Sequence, residues 1–105
     1  MLTLAEIQQR LRDGQYRLSE HALTRVVERN ITADMIRQAG DKAELIEDYP
    51  EDKYSPSCLL LGFSRDGGVL HLHVSRADGP TVKIITLYRP DPSAWVDFRI
   101  RRGGL

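Results

Sequence analysis

Apolar residues recur at two different periods along this chain, and the change from one to the other falls near residue 42. In the first part they return every three or four positions, as on one face of a helix. Leu4, Ile7 and Leu11 form a stripe that opens with the capping-box spacing Thr3-Leu4-Ala5-Glu6 and stops at Gly14, which predicts a first helix. Tyr16 and Leu18 flank Arg17 in a short extended piece. Ser19 caps a second helix reaching about Arg29, with Asn30 suited to a left-handed C-terminal position. Its core stripe is Ala22, Leu23, Val26 and Val27, and His21, Thr24, Arg25 and Glu28 fall on the opposite side. Thr32 caps a third helix ending at Gly40, and Ile31 is placed to staple onto Ile36.

From Ala43 the period shortens to that of strands. Leu45, Ile46 and Tyr49 occupy a first strand closed by Pro50, and residues Glu51 to Ser57 read as a polar loop. Cys58 to Ser64 is a second strand, and Asp66-Gly67-Gly68 turns the chain into a third, Val69 to Ser75. Asp78-Gly79-Pro80 leads into a fourth, Thr81 to Tyr88. Strict alternation puts Leu70, Leu72 and Val74 on one face of the third strand and His71, His73 and Ser75 on the other. On the fourth, Val82, Ile84, Thr86 and Tyr88 share one face and Lys83, Ile85 and Leu87 the other. Pro90 and Pro92 end the sheet, and Ser93 caps a last helical turn carrying Trp95 and Phe98 as plugs of the core. The expected fold is α+β in one domain: helices (1–40) packed on one face of a four-stranded antiparallel sheet (41–89), then a C-terminal turn and basic tail (90–105).

Composition narrows the class. With 105 residues, 41% hydrophobic and 29% charged, the chain has the make-up of an ordinary folded domain with one modest core. Its longest apolar run, Cys58-Leu59-Leu60-Leu61-Gly62-Phe63, has strand length rather than membrane length. No basic-then-apolar leader opens it, and the single Cys58 allows no internal disulfide and reads as buried and inert, so the expected location is the cytoplasm. A net charge of +0 weighs against a protein that wraps nucleic acid through counterion release. The charge is unevenly spread, however, with acids from Asp41 to Asp52 and arginines at positions 99, 101 and 102.

The chemistry-bearing residues form two clusters. His21 and Arg25 are neighbours at i, i+4 on the second helix, and the dipole at its N-terminus disfavours imidazolium, as a general base requires. The plainer alternative is a solvated helix face with Arg25 paired to Glu28. His71 and His73 offer two imidazoles on one strand face, near Thr86 and Tyr88. Two histidines fall short of the three or four ligands of a zinc site, so no metal is expected, and no cofactor motif is present. Arg29, Arg89, Arg99, Arg101 and Arg102 are candidates for gripping RNA phosphates. Proton carriers beside a guanidinium are what RNA phosphodiester cleavage without a metal would need.

The string His21-Ala22-x-x-Arg25 followed by Glu28-Arg29-Asn30-Ile31-Thr32 resembles the "HA-x-x-R…ER-G-I-S/T" opening of the family called domain of unknown function 4258. Leu70-His71-Leu72-His73-Val74 is similar to its "LH-V-V" strand, and Ile84 to Trp95 to its "I-I-T-x-Y-x-P-D-x-x-x-W" ending. The resemblance covers about residues 16 to 102. It implies a RelE-type relative of the barnase–EndoU–colicin–RelE fold, and a metal-independent ribonuclease toxin paired with an antitoxin, in some cases one with a zinc finger. The substrate would be RNA, ribosome-bound messenger included. The motif positions it carries over are His21, Arg25, one of His71 or His73, Thr86 and Tyr88. Asn30 stands where the family has Gly, and Leu-His-Leu-His offers two histidines where it shows one. The competing expectation is a non-catalytic module that binds RNA or protein. His21 can reach the strand histidines only if its helix packs at the edge of the sheet.

Overall fold

Each helix begins where a hydroxyl is available to take up a free backbone N–H. In this computed structural model, which describes residues 1–103, Thr3 Oγ1 accepts from Glu6 N at 3.2 Å and Glu6 Oε1 accepts from Thr3 N at 3.0 Å, opening α1 (Leu4–Arg12). Positions 104 and 105, the end of the expected basic tail, lie outside the described residues. A short strand β1 (Tyr16–Leu18) follows. Ser19 then caps α2 (Glu20–Arg29), which ends at Asn30 in the left-handed region (φ 54°), and Thr32 caps α3 (Ala33–Asp41). The strands β2 (Glu44–Tyr49), β3 (Ser57–Phe63), β4 (Val69–Ser75) and β5 (Val82–Tyr88) form the antiparallel meander expected from the period-two pattern.

Three expectations are corrected. The sheet has five strands in the order β1-β5-β4-β3-β2 and is mixed, because β1 pairs parallel with β5 (Leu18↔Ile84). The half-buried Tyr16 and Leu18 pack onto the core at this edge, and strand pairing satisfies the backbone beside them. Second, the C-terminal segment is a small hairpin, β6 (Trp95–Val96) and β7 (Ile100–Arg101), rather than a helical turn. Asp97 (φ 53°) and Phe98 (φ 60°) turn it, a left-handed pair that the side chains themselves gave no reason to expect.

Third, α2 lies along β5, the strand next to the β1 edge of the sheet. Ser19 N donates to Ile84 O at 3.0 Å near its start, and Arg89 Nη1 donates to Arg29 O at 2.6 Å at its end. From that position only Ala22 and Val26 reach the core, while Leu23 and Val27 are 53% and 72% exposed. The expected four-residue stripe is therefore half a stripe.

The core fills the space between the helices and one face of the sheet: Ile7 and Leu11, Ile36 and Ala39, against Cys58, Leu60, Leu70, Leu72, Val74, Ile84 and Leu87. Gly62 lets α3 approach β3, since a Cβ there would stand 2.1 Å from the backbone oxygen of Ala39. Burial pushes the Cys58 thiol up to about 11, which keeps it protonated. Among the described residues no helix is long and apolar enough to cross a membrane.

Candidate functional site

The site is assembled by one extra residue. Strict alternation would put Thr86 and Tyr88 on the same face as Ile84, in the core. Instead the β4–β5 register steps from Val74↔Ile84 to His73↔Thr86, leaving Ile85 unmatched as a β-bulge. Beyond it every side chain changes face: Leu87 enters the core, while Thr86 and Tyr88 join His73 and His71 on the side away from the helices. Ser19 holds the bulge in place. Its Oγ donates to Ile85 O at 2.6 Å while accepting from Ala22 N at 3.0 Å, so one hydroxyl caps α2 and pins the bulge.

The two strand histidines have opposite surroundings. His71 is fully buried, with its ring edge-on to Trp95 (centroids 4.5 Å apart) and to Tyr88 (5.2 Å). Nε2 lies 2.7 Å from Phe98 O, which can only accept, so Nε2 carries the proton. Nδ1 is then the acceptor for the Tyr88 hydroxyl at 3.2 Å. Both nitrogens are occupied, and burial pulls the imidazole below its ordinary pKa. His71 is a neutral strut that ties the C-terminal hairpin to the sheet.

His73 is half-buried and open. Ser57 Oγ donates to Asp52 Oδ2 at 2.6 Å and so is left to accept from His73 Nε2 at 2.9 Å. Asp52 thereby orients the imidazole through a serine. Nδ1, the lone-pair nitrogen, has no hydrogen-bond partner among the described residues. Every fully buried side-chain polar atom among them is partnered, so Nδ1 retains access to solvent. Burial lowers the His73 pKa against the opposing pull of Asp52, and the Ser57 hydrogen bond holds Asp52 below the usual carboxylate range. An oriented, neutral imidazole with an exposed lone pair is a competent general base. It opens into a cleft of about 260 Å³ whose walls include Tyr49, Thr86, Tyr88 and Arg101.

The charges that lie apart in sequence meet in space. Arg99 binds Glu44 with two nitrogens (2.8 and 2.9 Å), and Arg101 binds Glu47 across 54 residues of sequence at 2.9 Å while covering the Trp95 ring at 4.7 Å. Arg102 donates to Trp95 O at 3.1 Å. The C-terminal arginines are thus bolts for the hairpin, and glutamates neutralise two of the three, Arg99 and Arg101. Arg89 caps the end of α2 by binding the carbonyl of Arg29. Arg101 remains half-exposed at the cleft, held by a Glu47 that also accepts from the Tyr49 hydroxyl.

His21 and Arg25 stand apart from this cleft. His21 is exposed and makes no hydrogen bond or ion pair among the described residues, and Arg25 pairs with Glu28 at 3.6 Å. Tyr49, Ser57 and Asp52 are absent from the sequence-derived candidates. Tyr49 reaches the cleft because β2 has its own bulge between Leu45 and Glu47, and Asp52 and Ser57 meet only when the loop between them closes. The Glu47-x-Tyr49 alternation was the one visible signal. Among the described residues no three His, Cys, Asp or Glu side chains cluster as a metal site requires.

A family model described as "Domain of unknown function (DUF4258)" matches residues 18–89, which run from β1 through α2 to the end of the meander. No curated protein and no solved structure matches the chain.

Proposed function

The chain belongs to the DUF4258 family, and from that membership and the cleft around His73 we propose that it is a metal-independent endoribonuclease of the toxin type. His73 Nδ1 takes the proton of a ribose 2′-hydroxyl, the freed oxygen bonds to the adjacent phosphorus, and the bond to the 5′-oxygen breaks. The leaving oxygen takes its proton from solvent, which reaches the half-exposed cleft. The products are a 2′,3′-cyclic phosphate and a 5′-hydroxyl. Arg101, stiffened by Glu47, faces the non-bridging oxygens where charge develops, and Thr86 and Tyr88 position the phosphate. His71 acts through Tyr88 and the hairpin and stays out of proton transfer. His21 and Arg25, on the helix beside β5, contact flanking RNA. The resemblance to RelE-type toxins further implies a cytoplasmic protein held in check by a cognate antitoxin, in some cases one with a zinc finger, and acting on free or ribosome-bound RNA.

The observation that carries this reading is the Asp52–Ser57–His73 relay, which leaves Nδ1 unpartnered on a residue that lines one cleft with Arg101. The competing reading, a non-catalytic RNA- or protein-binding module, draws on the pairing of Arg99 and Arg101 with glutamates. Purified wild type and His73→Gln incubated with labelled single-stranded RNA in EDTA separate the two. Cleavage to cyclic-phosphate ends, slowed on the order of 100-fold or more in the variant, is expected. Intact RNA with the wild type, both free in EDTA and ribosome-bound in a parallel incubation with magnesium, would favour the binding module.

A further inference from the structure

His73 is the shared wall of two clefts. On its other side lies a cleft of about 320 Å³ bordered by Asp52, Tyr54, Lys83 and Ile85, which the mechanism above leaves empty of any role. Two features at its rim suit a ligand that is both aromatic and anionic. Tyr54 is 89% exposed, with only Lys53 Nζ near its ring at 5.7 Å. An aromatic ring held in water at the mouth of a cleft is a surface for stacking another ring. Second, β1 and β5 set Arg17 directly beside Lys83, and among the described residues neither cation forms an ion pair. Like charges opposed on neighbouring strands repel. Arg17 Nε donates to Thr81 Oγ1 at 3.3 Å, which leaves its charge unneutralised, and Lys83 beside it stands on the wall of the cleft, so the pair offers two positive charges to an anionic ligand there.

We propose that this second cleft binds the nucleotide whose 2′-hydroxyl faces His73, with its base stacked on Tyr54 and its 5′-phosphate taken by Lys83 and Arg17. The inference rests on the nuclease reading for the direction of the strand: the 3′-phosphate then lies across His73 in the cleft of Arg101. The occupant is a ribonucleotide with phosphates on both sides, which makes the substrate single-stranded RNA, since a paired base cannot leave its stack for Tyr54 without cost.

The four nucleoside 3′,5′-bisphosphates (A, G, C and U) serve as probes, titrated into the full chain and followed by calorimetry. At least one is expected to bind, and Tyr54→Ala to weaken it about tenfold or more while Tyr54→Phe binds as wild type. Lys83→Ala is expected to weaken the bisphosphate and to leave the 3′-monophosphate unaffected, with a shallower salt dependence. Tyr54 is an exposed loop side chain and Lys83 an exposed strand side chain, so neither substitution opens the core. Failure of all four probes to bind, or equal binding by wild type and Tyr54→Ala, overturns the subsite even if the protein cleaves RNA. Binding with the stated dependences but no cleavage keeps the subsite and overturns the nuclease.

Discussion

The two faces of the sheet are made by the same strands, yet one is a wall of apolar side chains and the other sets hydrogen-bonded polar groups among buried leucines. On the helix-covered face, Leu60, Leu70, Leu72 and Val74 are exchangeable in kind, and what matters is that their volumes fill the space. On the opposite face Leu59 and Leu61 are buried beside the histidines, and the polar groups around them have assigned partners: His71 with Phe98 and Tyr88, His73 with Ser57, Glu47 with Arg101, Glu44 with Arg99. Stability is concentrated on the first face and specificity of arrangement on the second. The difference also separates two histidines that sit two residues apart on one strand.

The contrast can be tested from its largest consequence downward. Leu60→Ala on the apolar face should cost about 2–5 kcal/mol in chemical denaturation, since it opens a cavity in the centre of the core. His71→Ala should cost less, about 1–3 kcal/mol, by leaving Phe98 O and the Tyr88 hydroxyl without their partner. It should also free the hairpin, seen as a red shift of Trp95 fluorescence. His73→Gln should change stability by no more than about 1 kcal/mol, so that any loss of cleavage is chemical. A result in which His73 matters more to folding than His71 would dissolve the division of labour.

Acid should act through both imidazoles. Their pKa values are depressed in the folded chain below the ordinary 6.5, mainly by burial. As pH falls through that ordinary value the unfolded chain takes up protons that the folded one refuses, so stability is complete above it and declines below, levelling once the folded imidazoles titrate. Denaturation midpoints followed through this window should fall, and should fall less in His71→Ala. The smallest effect expected is that of salt. Arg99–Glu44 and Arg101–Glu47 are exposed enough for screening, so raised ionic strength should loosen the hairpin slightly, measured by Trp95 quenching.

Much of this architecture was legible in the residues. Thr3, Ser19 and Thr32 start helices because their hydroxyls can satisfy orphan N–H groups locally, and the alternation in β4 correctly separates Leu72 from its histidine neighbours. What escaped was decided by partners distant in sequence. Tyr16–Leu18 becomes a strand because β5 lies beside it, and the hairpin at Trp95 forms because Glu44 and Glu47 wait some 55 residues upstream to receive Arg99 and Arg101. The candidate site was legible as a set of residue types and wrong in its geometry. His71, His73, Thr86 and Tyr88 do share a face, but only through the bulge at Ile85, which no alternation rule anticipates. Asp52 and Ser57 went unseen because a polar loop gives no periodic signal.

Ile85 gives this face one residue of slack. Losing that codon would take up the bulge and leave Ile84 opposite Val74 and Thr86 opposite His73 in regular pleating, with Leu87 still in the core and Tyr88 still beside His71. A residue gained or lost between Thr86 and Tyr88 would instead turn one of the two toward the core. In sorting active from silent relatives, the spacing inside the Thr-x-Tyr pair is therefore more informative than its distance from the strand histidines.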